Sequence, residues 1–215
     1  MIDEKAVREL HRTFKSPVVA FDCGRKCADL NGGVPICCDD THLIPVLYTA
    51  ELTYLRKKTD LWRGFRGRTE YERGMAADMP PTQRLARCKG HEFCERENRS
   101  FSCRTFPFYP YFDSRPEFVG LAYYWEYKGR CWILDRYDLV VPEFVTEFVR
   151  AWELIFDRAE EEREFFIGHS ATARRVHTRA GTDFVVIGRD GIARLKKPGD
   201  ETLVRAPEGP TGPAP

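Results

Sequence analysis

Eight cysteines are the residues of this chain best suited to chemistry, and their spacing is uneven. Cys23, Cys27, Cys37 and Cys38 fall inside FDCGRKCADLNGGVPICCDD, and Cys88, Cys94 and Cys103 inside RCKGHEFCERENRSFSCRTFPF. Cys131 stands apart, in GRCWILD. The thiolate is the form of cysteine that binds metals and attacks electrophiles. Zinc takes four nitrogen or sulfur donors in a tetrahedron, with short spacings between paired cysteines. Cys23-x3-Cys27 has such a spacing, and Cys88-x5-Cys94 is slightly wider. Iron–sulfur clusters are held by cysteines and need no histidine. Cysteines used as small core hydrophobes would not collect in windows rich in Gly, Asn, Arg and Glu. The clustering therefore predicts a metal site.

The ligand candidates are Cys23, Cys27, Cys37, Cys38, Cys88, Cys94 and Cys103. An iron–sulfur cluster is favoured over zinc, because thiols are in surplus. His42 and His91 lie close enough in sequence to complete a zinc tetrahedron instead. In extended backbone Cys37 and Cys38 would point to opposite faces, so only one of them is expected to ligate a given centre. Cys131, on a predicted strand, reads as a plain buried thiol. Arg25, Lys26, Arg87, Lys89 and Arg104 flank the clumps and would offset thiolate charge.

The elements that must position these residues are legible in part. Ala6, Val7, Leu10 and Phe14 predict an amphipathic helix over 3–14. Pro17 to Asp22 reads as a strand delivering Cys23, and the Asn31-Gly-Gly run as loop. Thr49 reads as the N-cap of a helix reaching about residue 58. Residues 60–80 carry no readable pattern. The run FPFYPYF (106–112) predicts a packed, non-helical wall. A strand over 118–127, a Lys128-Gly129 turn and a return strand over 130–134 are predicted next. Pro142 opens a helix expected to reach 166, with Phe144, Phe148, Trp152, Ile155 and Ala159 on one face and Gly168 as its stop. A short helix over 170–179 and a hairpin of 183–187 with 192–196 follow. The fold class is thus α+β. One irregular cysteine-rich domain is expected over 1–196, with its cysteine core over about 17–135 and a helix and hairpin extension over 140–196. A disordered Pro/Gly tail is expected over 197–215.

Lys and Arg number 34 against 33 Asp and Glu, a balance unlike that of a dedicated nucleic-acid binder. The start, MIDEKAVRELHRTF, has no apolar signal core, and no run of the chain is long and apolar enough to span a bilayer. The expected compartment is the reducing cytoplasm, where clustered cysteines serve metals rather than disulfides. No phosphate-binding GxxxxGK[ST], strand-linked GxGxxG, HExxH or GxSxG motif occurs.

The order Cys…Cys…Cys-Cys, then Cys…Cys…Cys-Arg-x-Phe, resembles the YkgJ-type family of cysteine-cluster proteins, described as zinc- or iron-chelating. That family's second clump ends in Cys-x-Ile-Tyr-x-x-Arg-Pro-x-x-Cys-Arg. Here CERENRSFSCR keeps Arg99, Cys103, Arg104 and the following Phe106, puts Ser100 in place of the proline, and lacks the Ile-Tyr pair. The first clump departs in spacing, with gaps of three and nine. The resemblance covers roughly residues 20–110 and carries over to all seven clustered cysteines. It implies a metal-binding protein with a redox, metal-handling or accessory role, and a protein or peptide partner. Relatives of flagellin lysine methyltransferases in the family imply an alternative, an iron–sulfur-dependent group transferase acting on a protein or peptide. A zinc-stapled interaction module is the third expectation.

Overall fold

The computed structural model describes residues 1–41 and 43–207. The fold mixes helices with two antiparallel sheets. The chain divides into two compact units, one of residues 1–15 with 24–106, the other of residues 16–23 with 107 onward.

The first unit opens with α1 (Glu4–Thr13), whose N-cap Asp3 accepts the Ala6 N–H at 2.8 Å. Ala6, Val7 and Leu10 bury its inner face, as their spacing predicts. Helix α2 (Gly24–Ala28) and a 3-10 turn at Ile36–Cys38 carry the first cysteine clump. Strand β1 (Val46–Tyr48) leads into α3 (Thr49–Arg56). Thr49 is not a cap: it is the first helical residue, and its hydroxyl donates to the Pro81 carbonyl instead.

The stretch 60–80, blank in the sequence, holds β2 (Trp62–Gly64) and α4 (Glu70–Ala77). Helix α4 has no buried residue, so it carries no hydrophobic period to detect. Its one signal is a capping box between Thr69 and Glu72. Strand β3 (Gln83–Cys88) lies between β1 and β2 and ends on Cys88, which pairs across from Trp62. The core beneath is Leu47, Leu52, Leu55, Leu61, Trp62 and Ala86, and Cys88 and Cys103 pack against it. Helix α5 (Phe101–Thr105) closes the unit.

The second unit is built on a sheet ordered β4-β5-β6-β7-β8, antiparallel throughout. Strand β4 (Phe108–Phe112) is the predicted aromatic wall, buried at every position. It is an edge strand, where Pro110 costs the ladder no donor. Strand β5 (Phe118–Tyr123) is flanked by β4 and β6 (Phe184–Gly188). Both its edges are therefore taken, and the predicted return strand 130–134 does not form. That stretch holds a 3-10 turn at Trp132–Asp135. Residues 17–22 are likewise bent rather than a strand, tied by Val141 N–H donating to the Val18 carbonyl.

The predicted helix 142–166 is two helices, α6 (Pro142–Phe156) and α7 (Glu160–Ala180), broken at Ala159, which leaves helical geometry at φ −144°. The predicted face of α6 is buried, including Phe144, Phe148, Trp152 and Ile155. Gly168 does not stop α7. Phe166, Ser170 and Ala173 bury the helix on both sides of it, and packing outweighs the roughly 1 kcal/mol propensity cost of a helical glycine. The stop is Gly181, which takes the left-handed conformation at φ +64°.

Strands β6 and β7 (Ala193–Lys196) form the predicted hairpin, and β8 (Leu203–Arg205) extends it. Residues 203–205, assigned to a disordered tail by composition, are thus ordered through backbone pairing to β7, which composition does not register. The rest of the predicted tail, 208–215, lies outside the described residues.

One glycine of this sheet is irreplaceable. Gly120 of β5 sits at φ +154°, and a Cβ there would run into the Ile187 carbonyl oxygen. Gly120→Ala is expected to cost about 3 kcal/mol, through backbone strain and a broken β5–β6 pairing. Urea unfolding monitored in the second unit's aromatic core measures it; a loss under about 0.5 kcal/mol, the scale of a neutral surface change, would contradict this packing.

Candidate metal centre

Five cysteines of the first unit line one narrow cavity of about 40 Å³: Cys37, Cys38, Cys88, Cys94 and Cys103. They come from four places in the chain. Cys37 and Cys38 sit on the 3-10 turn, where the backbone is wound rather than extended. The winding corrects the expectation of opposed side chains: their sulfurs are 3.8 Å apart and both face the cavity. Cys88 ends β3, and the Gly90 N–H donates to its sulfur at 3.4 Å. Gly90 does so from φ +111°, a conformation open to glycine. Cys94 caps a 3-10 turn at His91–Phe93. Cys103 lies on α5, whose N-cap Ser100 accepts the Cys103 N–H at 3.2 Å.

The remaining predicted ligands stand differently. Cys27 is buried on α2, with its thiol directed at the Gly24 carbonyl at 3.5 Å, and is not among the residues lining this cavity. Cys23 ends the segment 16–23 and belongs to the second unit. Cys131, also in the second unit, is buried. His91 does not line the cavity, and His42 lies outside the described residues. As the side chains stand, no three of the described His, Cys, Asp and Glu residues converge on a point where one ion would touch them all.

Three of the basic residues expected to offset thiolate charge have other partners. Arg87 pairs with Asp40 and with Glu72, Lys89 pairs with Asp60, and Arg104 donates to backbone carbonyls. A guanidinium that does meet sulfur is that of Arg99, whose Nε lies 3.1 Å from Cys94 Sγ. Burial opposes its charge, but the bond to Cys94 and the nearby Cys94, Cys37 and Cys38 sulfurs outweigh that and hold it protonated.

Burial acts on the thiols in the other direction. It pushes Cys103 up to about 12 and raises Cys88. Cys37 is raised well above its ordinary value, first by its bond to Cys38 and then by burial. Folding therefore disfavours the thiolates when no cation is present. The sign follows from linkage. The unfolded chain ionises these thiols near 9.0, while the folded chain keeps Cys103 protonated to about 12. Metal-free protein is expected to hold this contribution below pH 9 and to lose it as pH rises from there, which urea titrations at a series of pH values would register.

A layer of polar contacts fixes α5 from behind. Glu51 on α3 is 1% exposed, and its Oε1 accepts the Phe101 N–H at 2.6 Å. The same oxygen is 3.0 Å from His11 Nε2 on α1. Arg104 Nη2 approaches His11 Nδ1 at 3.4 Å. A guanidinium only donates, so Nδ1 is the acceptor and Nε2 carries the hydrogen given to Glu51. Arg104 also donates to the carbonyls of Phe14, Glu97 and Arg99. The helix that presents Cys103 is thus tied to α1 and α3. The sequence signalled neither Glu51 nor its link to α5. A glutamate in a first helical turn reads as a dipole partner, and its burial is decided by the packing of distant segments.

No family model, no curated protein and no solved structure matches the chain.

Proposed function

We propose that the first unit is a metal-binding module whose centre is held by Cys37, Cys38, Cys88, Cys94 and Cys103. One observation carries the reading: five thiols from four chain segments line a single cavity seated on an apolar cluster. Each cysteine turns on one χ1 rotor, the motion through which its sulfur would turn inward toward a cation. Binding would deprotonate the thiols outright and remove the cost that burial places on their thiolates. Arg99 would then offset part of the negative charge and donate to a ligand sulfur, a role typical of residues around metal sites.

Five cysteines in the lining favour an iron–sulfur cluster, with a four-thiolate zinc site as the other occupant of the same donors. The resemblance in cysteine order to the YkgJ-type family supports the same reading. The role that fits is redox, metal handling or support of a modifying partner protein. A cytoplasmic location accords with thiols left out of disulfides. No described helix is long and apolar enough to cross a membrane.

Metal removal tests the proposal through folding, because ligands that bind only the folded state stabilise it. A strong chelator is expected to lower the unfolding temperature of the purified protein by several degrees, about the shift that 1–2 kcal/mol produces. An unchanged melting curve from protein that metal analysis shows to hold no metal before or after treatment would count against the centre.

A further inference from the structure

Beside the cysteine cavity, the first unit has an open hollow of about 580 Å³ walled by Arg56, Arg63, Arg66, Arg68 and Arg87. Its volume is that of a small-molecule site, and no carboxylate lines it. An adjoining hollow of about 460 Å³ shares Arg63, Arg68 and Arg87, adds Lys89 and one carboxylate, Asp40, and reaches Cys88. Two of these cations are already matched: Arg87 by Asp40 and Glu72, and Lys89 by Asp60. Arg56, Arg63, Arg66 and Arg68 make no salt bridge among the described residues, and all four are exposed.

Four guanidiniums without a salt bridge around one hollow repel one another, and a solvated surface would let them spread. Here the loop that carries Arg66 and Arg68 is pinned. The Phe65 N–H donates to the Leu85 carbonyl at 3.3 Å. Glu72 accepts from the backbone of Arg68 and of Thr69, and its other oxygen takes Arg87. Arg87 in turn lies over the Phe65 ring, 5.1 Å from its centre. Gly67 is pressed so closely on α4 that a Cβ would come within 2.5 Å of the Arg73 nitrogen. The backbone therefore holds the like charges near one another in advance, and a bound anion would relieve the repulsion.

We infer that this hollow binds an oligophosphate, the phosphoryl chain of a nucleotide. A guanidinium fork matches phosphate oxygens two at a time, and a carboxylate or single phosphate supplies too little charge for four such groups. A di- or triphosphate supplies three to four negative charges, which balances them. The half-buried Phe65 and the buried Trp62 give the wall an apolar part against which a nucleoside can lie. The inference does not depend on the metal centre.

The test is a calorimetric titration with inorganic tripolyphosphate, adenosine triphosphate and adenosine at 0.1 M salt. Both phosphate probes are expected to bind, adenosine alone is not, and affinity should fall as salt rises. Arg63→Gln and Arg68→Gln are each expected to weaken tripolyphosphate about tenfold, the loss of one charge-assisted contact. Arg84→Gln, which removes a charge outside the hollow, should leave binding unchanged, and metal content should be equal in all variants. If Arg68→Gln fails to fold, Arg66→Gln carries the same expectation. A short single-stranded oligonucleotide that binds more tightly than the triphosphate, with the same arginine dependence, assigns the phosphates to a nucleic acid; weaker binding assigns them to a free nucleotide. Absence of tripolyphosphate binding at millimolar concentration, or equal binding by wild type and an Arg63→Gln/Arg68→Gln double variant, overturns the inference.

Discussion

Glu51→Ala is expected to destabilise the protein by about 3–5 kcal/mol, the cost of removing one partner from a buried polar pair. Three groups lose by it at once. The Phe101 N–H at the start of α5 and the His11 Nε2–H lose their acceptor, and Arg104 loses the negative charge that favours it there. Burial already lowers the Arg104 pKa, so that guanidinium depends on the carboxylate. Water cannot reach the vacated site freely, because Glu51 is almost fully enclosed. Glu51→Gln separates charge from hydrogen bonding. It keeps an oxygen for Phe101 and His11 and should lose less than half as much. Urea unfolding of the three proteins measures both. A loss for Glu51→Ala below about 1 kcal/mol, the worth of one ordinary hydrogen bond, would contradict the network described here.

The second large effect concerns Cys103. Its sulfur is desolvated, packs against the Leu47–Trp62 core cluster and faces the four other cavity thiols. Serine in its place offers a harder and less acidic donor at the same point. Cys103→Ser is expected to weaken metal binding by more than about 100-fold, beyond the loss seen when residues around a ligand are changed. Cys131→Ser, in the second unit, should keep full metal content. The two variants together distinguish loss of a ligand from a general effect of removing a buried thiol. Equal metal content in Cys103→Ser and wild type would remove Cys103 from the centre.

The two predictions are connected through α5. Five residues make a helix too short to persist alone, so tertiary contacts must fix it. Ser100 caps it, Glu51 takes its first amide and Arg104 ties its end to the Phe14 carbonyl. A fault at Glu51 therefore reaches Cys103 through the backbone, and Glu51→Ala should lower metal affinity as well as stability.

How much of this was legible in the sequence depends on where each signal lives. Helix α1 and the buried face of α6 were, because repeating apolar residues set a helix period. The β6–β7 hairpin was, because its turn residues lie between two apolar runs. What failed was decided by partners far away in the chain. The stretch 130–134 has a strand's composition, but both edges of β5 were already paired. Residues 203–205 have a tail's composition, but β7 offers them an edge. Helix α4 buries nothing and so shows no period.

The candidate site divides in the same way. The identity of the clustered cysteines was visible, and five of the seven predicted ligands line one cavity. Which five was not, because Cys27 turns towards its own helix while Cys37 and Cys38 turn together on a 3-10 turn. Arg99 was marked only by its place in a motif. Its contact with the Cys94 sulfur follows from the turn at Arg96–Asn98 that swings the chain back.

The central claim is that the cavity sulfurs hold a metal. Elemental and sulfide analysis of protein purified without oxygen, joined to its visible absorption spectrum, tests it most directly. Iron with acid-labile sulfide and broad absorption near roughly 400 nm, as expected for cysteine-bound clusters, is the predicted result. A colourless protein with one zinc per chain would keep the centre and change its occupant. Protein that carries neither metal, with the five cavity thiols all free to react with a thiol reagent after unfolding, would contradict the account.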